Sequence, residues 1–133
     1  MQVKRFGVSL DEDLLVKLDK LVKDERFPNR SQAIRFLIKK NIVEEKWKDD
    51  NVVAGAIILV YDHHKRELQN KSTQIQHDYH HLILCVQHVH LDHHSCLETI
   101  AVKGKASELI ELSNQLKAIK GIQHGKLVMS AVD

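Results

Sequence analysis

Residues 81–103 read His-Leu-Ile-Leu-Cys-Val-Gln-His-Val-His-Leu-Asp-His-His-Ser-Cys-Leu-Glu-Thr-Ile-Ala-Val-Lys. Two apolar, β-branched runs, 81–91 and 96–103, flank the polar tetrapeptide Asp92-His93-His94-Ser95, which predicts two strands joined as a hairpin. Before them, residues 64–78 are polar with Leu68 and Ile75 at helical spacing. Residues 52–61 are an almost unbroken apolar run, predicting a central strand covered on both faces. Downstream, Gly104 is expected to break the third strand. Leu109, Ile110, Leu112, Leu116 and Ile119 place a helix over 106–119, with Gly121 just past its end. Residues 122–132 form a fourth strand. The order β-α-β-β-α-β is the ferredoxin-like split βαβ arrangement, in the α+β class.

Upstream the composition changes. Residues 1–46 hold eleven Lys/Arg against eight Asp/Glu and no histidine, and all ten histidines lie after residue 60. The polar break Trp-Lys-Asp-Asp-Asn begins at residue 47. The expected division is therefore 1–46, a hinge at 47–53, and a second domain over 54–133. In the first segment, Phe6, Val8 and Leu10 alternate with Arg5, Gly7 and Ser9, as in a half-buried strand. Asp11 is a candidate N-cap for a helix over about 12–25, with Glu12 and Asp13 favoured by the dipole of its first turn. Phe27-Pro28 breaks that helix. Ser31 is the candidate N-cap of a second helix, about 32–46, with Ala33, Ile34, Leu37, Ile38 and Ile42 on one face. A lone strand and two helices of this length cannot bury a sufficient core, so the segment is expected to pair with its own copy. A two-stranded ribbon with Arg5, Gly7 and Ser9 outward fits the major groove of B-DNA. Ser31 and the amides of the second helix's first turn would anchor phosphate. The stretches 5–15 and 29–35 carry a resemblance to ribbon–helix–helix DNA-binding domains. The resemblance assigns Asn29, Arg30 and Ser31 to the DNA interface. Gly7 departs from it by offering no side chain for base readout.

The 133 residues carry a net charge of +2, which by itself names no partner. No apolar run approaches the roughly 18–20 residues of a membrane span. The first residues lack the apolar segment of a secretory signal, so no membrane, a cytoplasmic location and reduced thiols are expected.

Histidine and cysteine concentrate in residues 77–98, with seven histidines and both cysteines. His88 and His90 alternate with their neighbours and so share a strand face with Leu82, Leu84 and Val86. Cys85 is turned away and is expected to be a buried small hydrophobe. Cys96 follows the hairpin and returns toward His90. Two imidazoles and a thiolate suit a divalent transition metal, and spacing leaves its geometry open between tetrahedral and square planar. His77, at the end of the preceding helix, is the best fourth candidate, reaching the site of a neighbouring subunit. Glu98 can hydrogen-bond a ligand histidine. His80, His81, His93 and His94 read as solvated loop or helix-end residues that could offer weak extra metal sites, and His124 as structural. His-Glu-x-x-His, a nucleophile elbow and a phosphate-cradling loop are all missing, so the chain reads as a non-enzyme.

As a whole, with Gln76-His77, His88-Val89-His90 and Cys96-Leu97-Glu98 behind a ribbon–helix–helix start, the chain resembles the nickel-responsive regulator (NikR) family. The resemblance implies square-planar Ni²⁺, one per subunit, on His88, His90 and Cys96 of one subunit and His77 of another. It also implies a homotetramer, a dimer of dimers around an ACT-like core, which binds a double-stranded DNA operator and represses nickel-uptake genes. Tyr61 and His63 match positions that order the helix near the metal, and Lys65 and Arg66 match a pair touching the DNA backbone. Gln32 and Phe36 are not acidic, which argues against a second interdomain cation site in its usual form. The residues themselves leave two alternatives: a regulator sensing Cu²⁺, Zn²⁺ or Co²⁺, and an antitoxin-like DNA binder holding a protein partner.

Overall fold

The structure is a computed structural model that describes residues 2–132. It divides into two compact units, Met1–Asn41 and Ile42–Asp133.

In the first unit α1 spans Glu12–Asp24, and Asp11 caps it by accepting the Leu14 amide at 2.9 Å. The second helix, α2, spans Arg30–Lys48, so it starts in the first unit and its residues from Ile42 on are counted with the second. Its cap is Asn29, whose Oδ1 accepts the Gln32 amide at 2.9 Å, and not the expected Ser31. Asn and Ser are equally good caps, and the helix starts where the chain leaves Pro28. Residues 3–10 form no strand ladder. A ladder needs a second edge, and a single chain offers none here. Phe6, Val8 and Leu10 are accordingly 74%, 54% and 41% exposed. With Leu14, Leu18, Leu21, Ile34 and Leu37 they line an open apolar groove.

The second unit is a four-stranded antiparallel sheet in the order β2-β3-β1-β4. Its elements are β1 (Val52–Asp62), α3 (Arg66–Asp78), β2 (Ile83–His90), β3 (Ser95–Lys105), α4 (Ala106–Lys117) and β4 (His124–Met129). This is the expected β-α-β-β-α-β order, with a short 3₁₀ turn, His80–Leu82, before β2. Val53, Ile57, Leu59, Tyr61, Cys96, Ile100 and Val102 from the sheet meet Leu68 of α3 and Leu109, Leu112 and Leu116 of α4 in one core.

Three differences from the sequence reading have physical causes. Burial alternates along β1, so its second face is only half-buried and not covered as expected. Gly104 lies inside β3 and does not break it; a Cβ there would meet Leu82 Cδ2 at 2.5 Å, so glycine lets Leu82 pack over the strand. The last turn of α2 includes Trp47 and Lys48, which the sequence placed in a hinge. Trp47 is buried and its indole donates to the Ser130 carbonyl at 2.7 Å, so the helix is held until the Asp49–Asp50 turn.

Candidate metal centre and nucleic-acid interface

Register builds the centre. Across the three strands Tyr61, Cys96 and His90 stand in one row, and Leu59, Glu98 and His88 in the next. Directly opposed residues of antiparallel strands project from the same face. Cys96 and Glu98 are 1% exposed, so this is the helix-covered face. His88 and His90 reach it from the edge strand because of a bulge: Ile83 pairs with Val102 but Cys85 pairs with Ala101, leaving Leu84 extra. Without that extra residue, continuous alternation from Ile83 would turn both histidines to the opposite face. Leu84 thus leaves the pattern and is 65% exposed. Cys85 lies on the face opposite Cys96, as expected, but it is exposed and not buried. The expectation assumed cover that an edge strand of a single chain does not have.

Glu98 organises the space between the sheet and α3. It accepts the Tyr61 hydroxyl at 2.5 Å and the Gln76 amide at 2.8 Å, and His88 Nε2 stands 3.7 Å from Oε1. Burial, then the Glu98 carboxylate, pushes the Tyr61 hydroxyl far above its usual range, so it stays a donor. Burial likewise raises the Cys96 thiol, while the Tyr61 hydroxyl works against that rise. His63 stacks on His90 with centroids 4.4 Å apart and planes 6° apart. Its Nδ1 is buried without a hydrogen-bond partner. Burial, then neighbouring His64 and His90, holds this imidazole below its ordinary value.

His77 occupies the last turn of α3 and is exposed, with its ring 6.0 Å from that of His80. The donor atoms of His88, His90 and Cys96 do not all come within 4.8 Å of one another, and His77 does not join them. Among the described residues the three metal-binding side chains with donor atoms within 4.8 Å of one another are Asp62, His64 and His94. The sequence offers His94 as a weak extra ligand but does not bring it to Asp62 and His64, since the three meet only through the β1–β3 register.

On the nucleic-acid side, Arg5, Gly7 and Ser9 are exposed, and nothing lies within 4 Å of where a Gly7 Cβ would be. Packing therefore does not require glycine there. Ser31 is exposed in the first turn of α2. Arg30 is engaged in a bidentate pair, Nε and Nη2 donating to Asp19 at 2.8 and 3.0 Å. In the second unit Lys65 and Arg66 begin α3 beside Lys71 and Lys120, lining a concavity of about 440 Å³. Lys65 makes no side-chain cap bond. Lys120 escaped the sequence reading because it is distant in the chain.

Comparison with known proteins gives consistent matches. Residues 54–130 match the model described as NikR C terminal nickel binding domain, and residues 4–45 that described as Ribbon-helix-helix protein, copG family. A protein of Syntrophus aciditrophicus is 52% identical over 130 residues, covering 98% of this chain and 95% of its own length. One from Chlorobium phaeobacteroides is 46% identical over 132 residues, covering 99% and 98%. Both carry the name "Putative nickel-responsive regulator". Among solved structures, an uncharacterized protein of Thermotoga maritima shares the fold over 59% of this chain and 98% of its own, with a TM-score of 0.54 at 15% identity.

Proposed function

The chain belongs to the nickel-responsive regulator family of ribbon–helix–helix proteins, and on that premise we infer that it is a repressor whose operator binding is switched on by Ni(II). Family membership makes it a DNA-binding, nickel-binding regulator of transcription and not an enzyme. The finer reading is a cytoplasmic homotetramer, a dimer of dimers, that takes one Ni(II) per subunit and acts on nickel-uptake genes. No helix among the described residues is long and apolar enough to cross a membrane.

The observation that carries the reading is the register that sets His90 beside Cys96 and His88 beside Glu98 on one face. Imidazole and thiolate donors fit a late first-row divalent ion. Cys96, His88 and His90 would hold it, with His77 of another subunit completing the set. Bound there, Ni(II) would supply a bond from one subunit to the next.

The chain's own residues supply the rest. Glu98 Oε1 stands 3.7 Å from His88 Nε2, and closing that gap to a hydrogen bond would orient the imidazole and leave its other ring nitrogen for the ion. Cys96 must lose its proton first, against the pull of burial. Gln76 ties the last turn of α3 to Glu98, next to His77. The same helix begins at Lys65 and Arg66. Fixing its far end therefore orders the two cations that would meet the DNA backbone. Two chains pairing through residues 3–10 would cover the apolar groove and present Arg5, Gly7 and Ser9 to base edges. Asn29, Ser31 and the first amides of α2 would take phosphate; Arg30 would join them by leaving Asp19. A switch of this kind requires the DNA-competent arrangement to bind metal more tightly than the others do.

Mixed tetramers test it. His77→Ala and Cys96→Ala should each abolish Ni(II)-dependent operator binding in gel shift. Co-refolded together, they regain complete sites from one chain's strand residues and the other's His77, and binding partly returns. No recovery means that His77 serves its own subunit or none. Retained response in Cys96→Ala removes the centre altogether. Zn(II), Cu(II) or Co(II) titrated in parallel shows which ion drives the switch.

A further inference from the structure

The end of β1, the turn leaving it and the β2–β3 hairpin meet at one corner of the second unit. Asp62 pairs in register with Ser95, which brings the hairpin alongside. Asp92 locks that hairpin by accepting the amides of His94 at 2.8 Å and Ser95 at 2.7 Å. Asp62 Oδ1 in turn accepts the His64 amide at 2.9 Å and lies 3.2 Å from His64 Nδ1. The donor atoms of Asp62, His64 and His94 all fall within 4.8 Å of one another.

We propose that Asp62, His64 and His94 form a second metal site, separate from the Cys96 centre, for a divalent borderline transition ion such as Co(II), Zn(II) or Ni(II). Two imidazoles and a carboxylate suit such ions better than Ca²⁺ or Mg²⁺, which favour all-oxygen sets. Two donors about 2.0–2.2 Å from one ion stand about 3.0–3.6 Å apart, which matches the Asp62–His64 spacing. His64 and His94 are exposed, so their rings swing the remaining distance without disturbing the core. Water fills the open positions. Lacking a thiolate, the site holds its ion less tightly than Cys96 does. The ion would join the β1 end and the hairpin to the turn that starts α3, where the Lys65 amide donates to the Asp62 carbonyl at 3.1 Å. The site stands on the second unit's geometry and does not depend on the repressor reading.

The test is a Co(II) titration of the full chain, followed by optical absorption and calorimetry. The wild type should take one equivalent with a thiolate charge-transfer band and a second without it. Cys96→Ala should keep only the second. Adding His94→Ala or Asp62→Asn should weaken that equivalent by more than about tenfold, the scale at which even supporting groups around a metal act. In the wild-type background, His94→Ala should leave the thiolate band intact. Unchanged band-free binding in both double variants overturns the proposal and assigns that equivalent to scattered histidines such as His80, His81 and His124. Loss of the thiolate band in His94→Ala also overturns it, by making the two sites one.

Discussion

The two units of the chain handle their apolar side chains in opposite ways. Among the described residues of Ile42–Asp133, fifteen buried hydrophobic side chains form one cluster. In Met1–Asn41, among the described residues, Ala33 is the one hydrophobic side chain that is buried. There Phe6, Val8, Leu10 and Leu14 line an open groove. The second unit completes a core from its own residues, while the first holds half of one. On the proposed reading, pairing with a second copy and contact with DNA would both draw on residues 3–10, whereas the core of the second unit is closed without them.

The contrast is sharpened first at Leu112, buried in α4. Leu112→Ala should cost about 2–5 kcal/mol, seen as a lower urea midpoint for the second unit. Leu14→Asp, at a half-exposed position, should leave that transition and Ni(II) binding in place but abolish operator binding and its concentration-dependent melting. If both substitutions lower the same transition equally, the units are not independent. Next is Tyr61→Phe, which strips Glu98 of a buried donor and should cost about 1–3 kcal/mol by the same measurement. In the first unit Asn29→Ala should cost about 1 kcal/mol, through the lost cap of α2, and leave the second unit's transition alone.

The smallest effect is one of pH. The Ser107 amide donates to Asp50 at 2.7 Å and holds that carboxyl below its ordinary value. Its stabilisation is therefore complete above the unfolded carboxyl value and is lost as the pH falls through the lower folded one. Asp50→Asn should flatten the acid loss of stability of the second unit below about pH 4, where the unfolded carboxyl begins to protonate.

Periodicity was enough for the order of elements, because each helix and strand of the second unit shows its own spacing. It was not enough where one residue changes the count. Reading β2 as unbroken alternation grouped Leu82 and Leu84 with His88, while the ladder sets Ile83 on that side and leaves Leu84 out. No local signal marks the bulge; it follows from the pairing of β2 with β3. The Asp62, His64 and His94 corner was hidden for the same reason, since it needs the β1–β3 register. Gly104 was misread because glycine ends strands and also admits close packing, and only Leu82, distant in sequence, decides between the two. Cys85 was misread because alternation tells which side a residue takes but not whether that side is covered.

The bulge at Leu84 has one more consequence, for solubility. β2 is an edge of the sheet, with Leu84, Val86 and Val89 exposed along it and Leu91 exposed just past its end. A straight apolar edge of this kind templates the addition of strand after strand, which ends in fibres. The extra residue kinks the edge and breaks its hydrogen-bond rhythm after Ile83, so an incoming strand finds only the short stretch Cys85–His90 in step. The edge can still be met by a partner shaped for it, but it is a poor seed for endless growth.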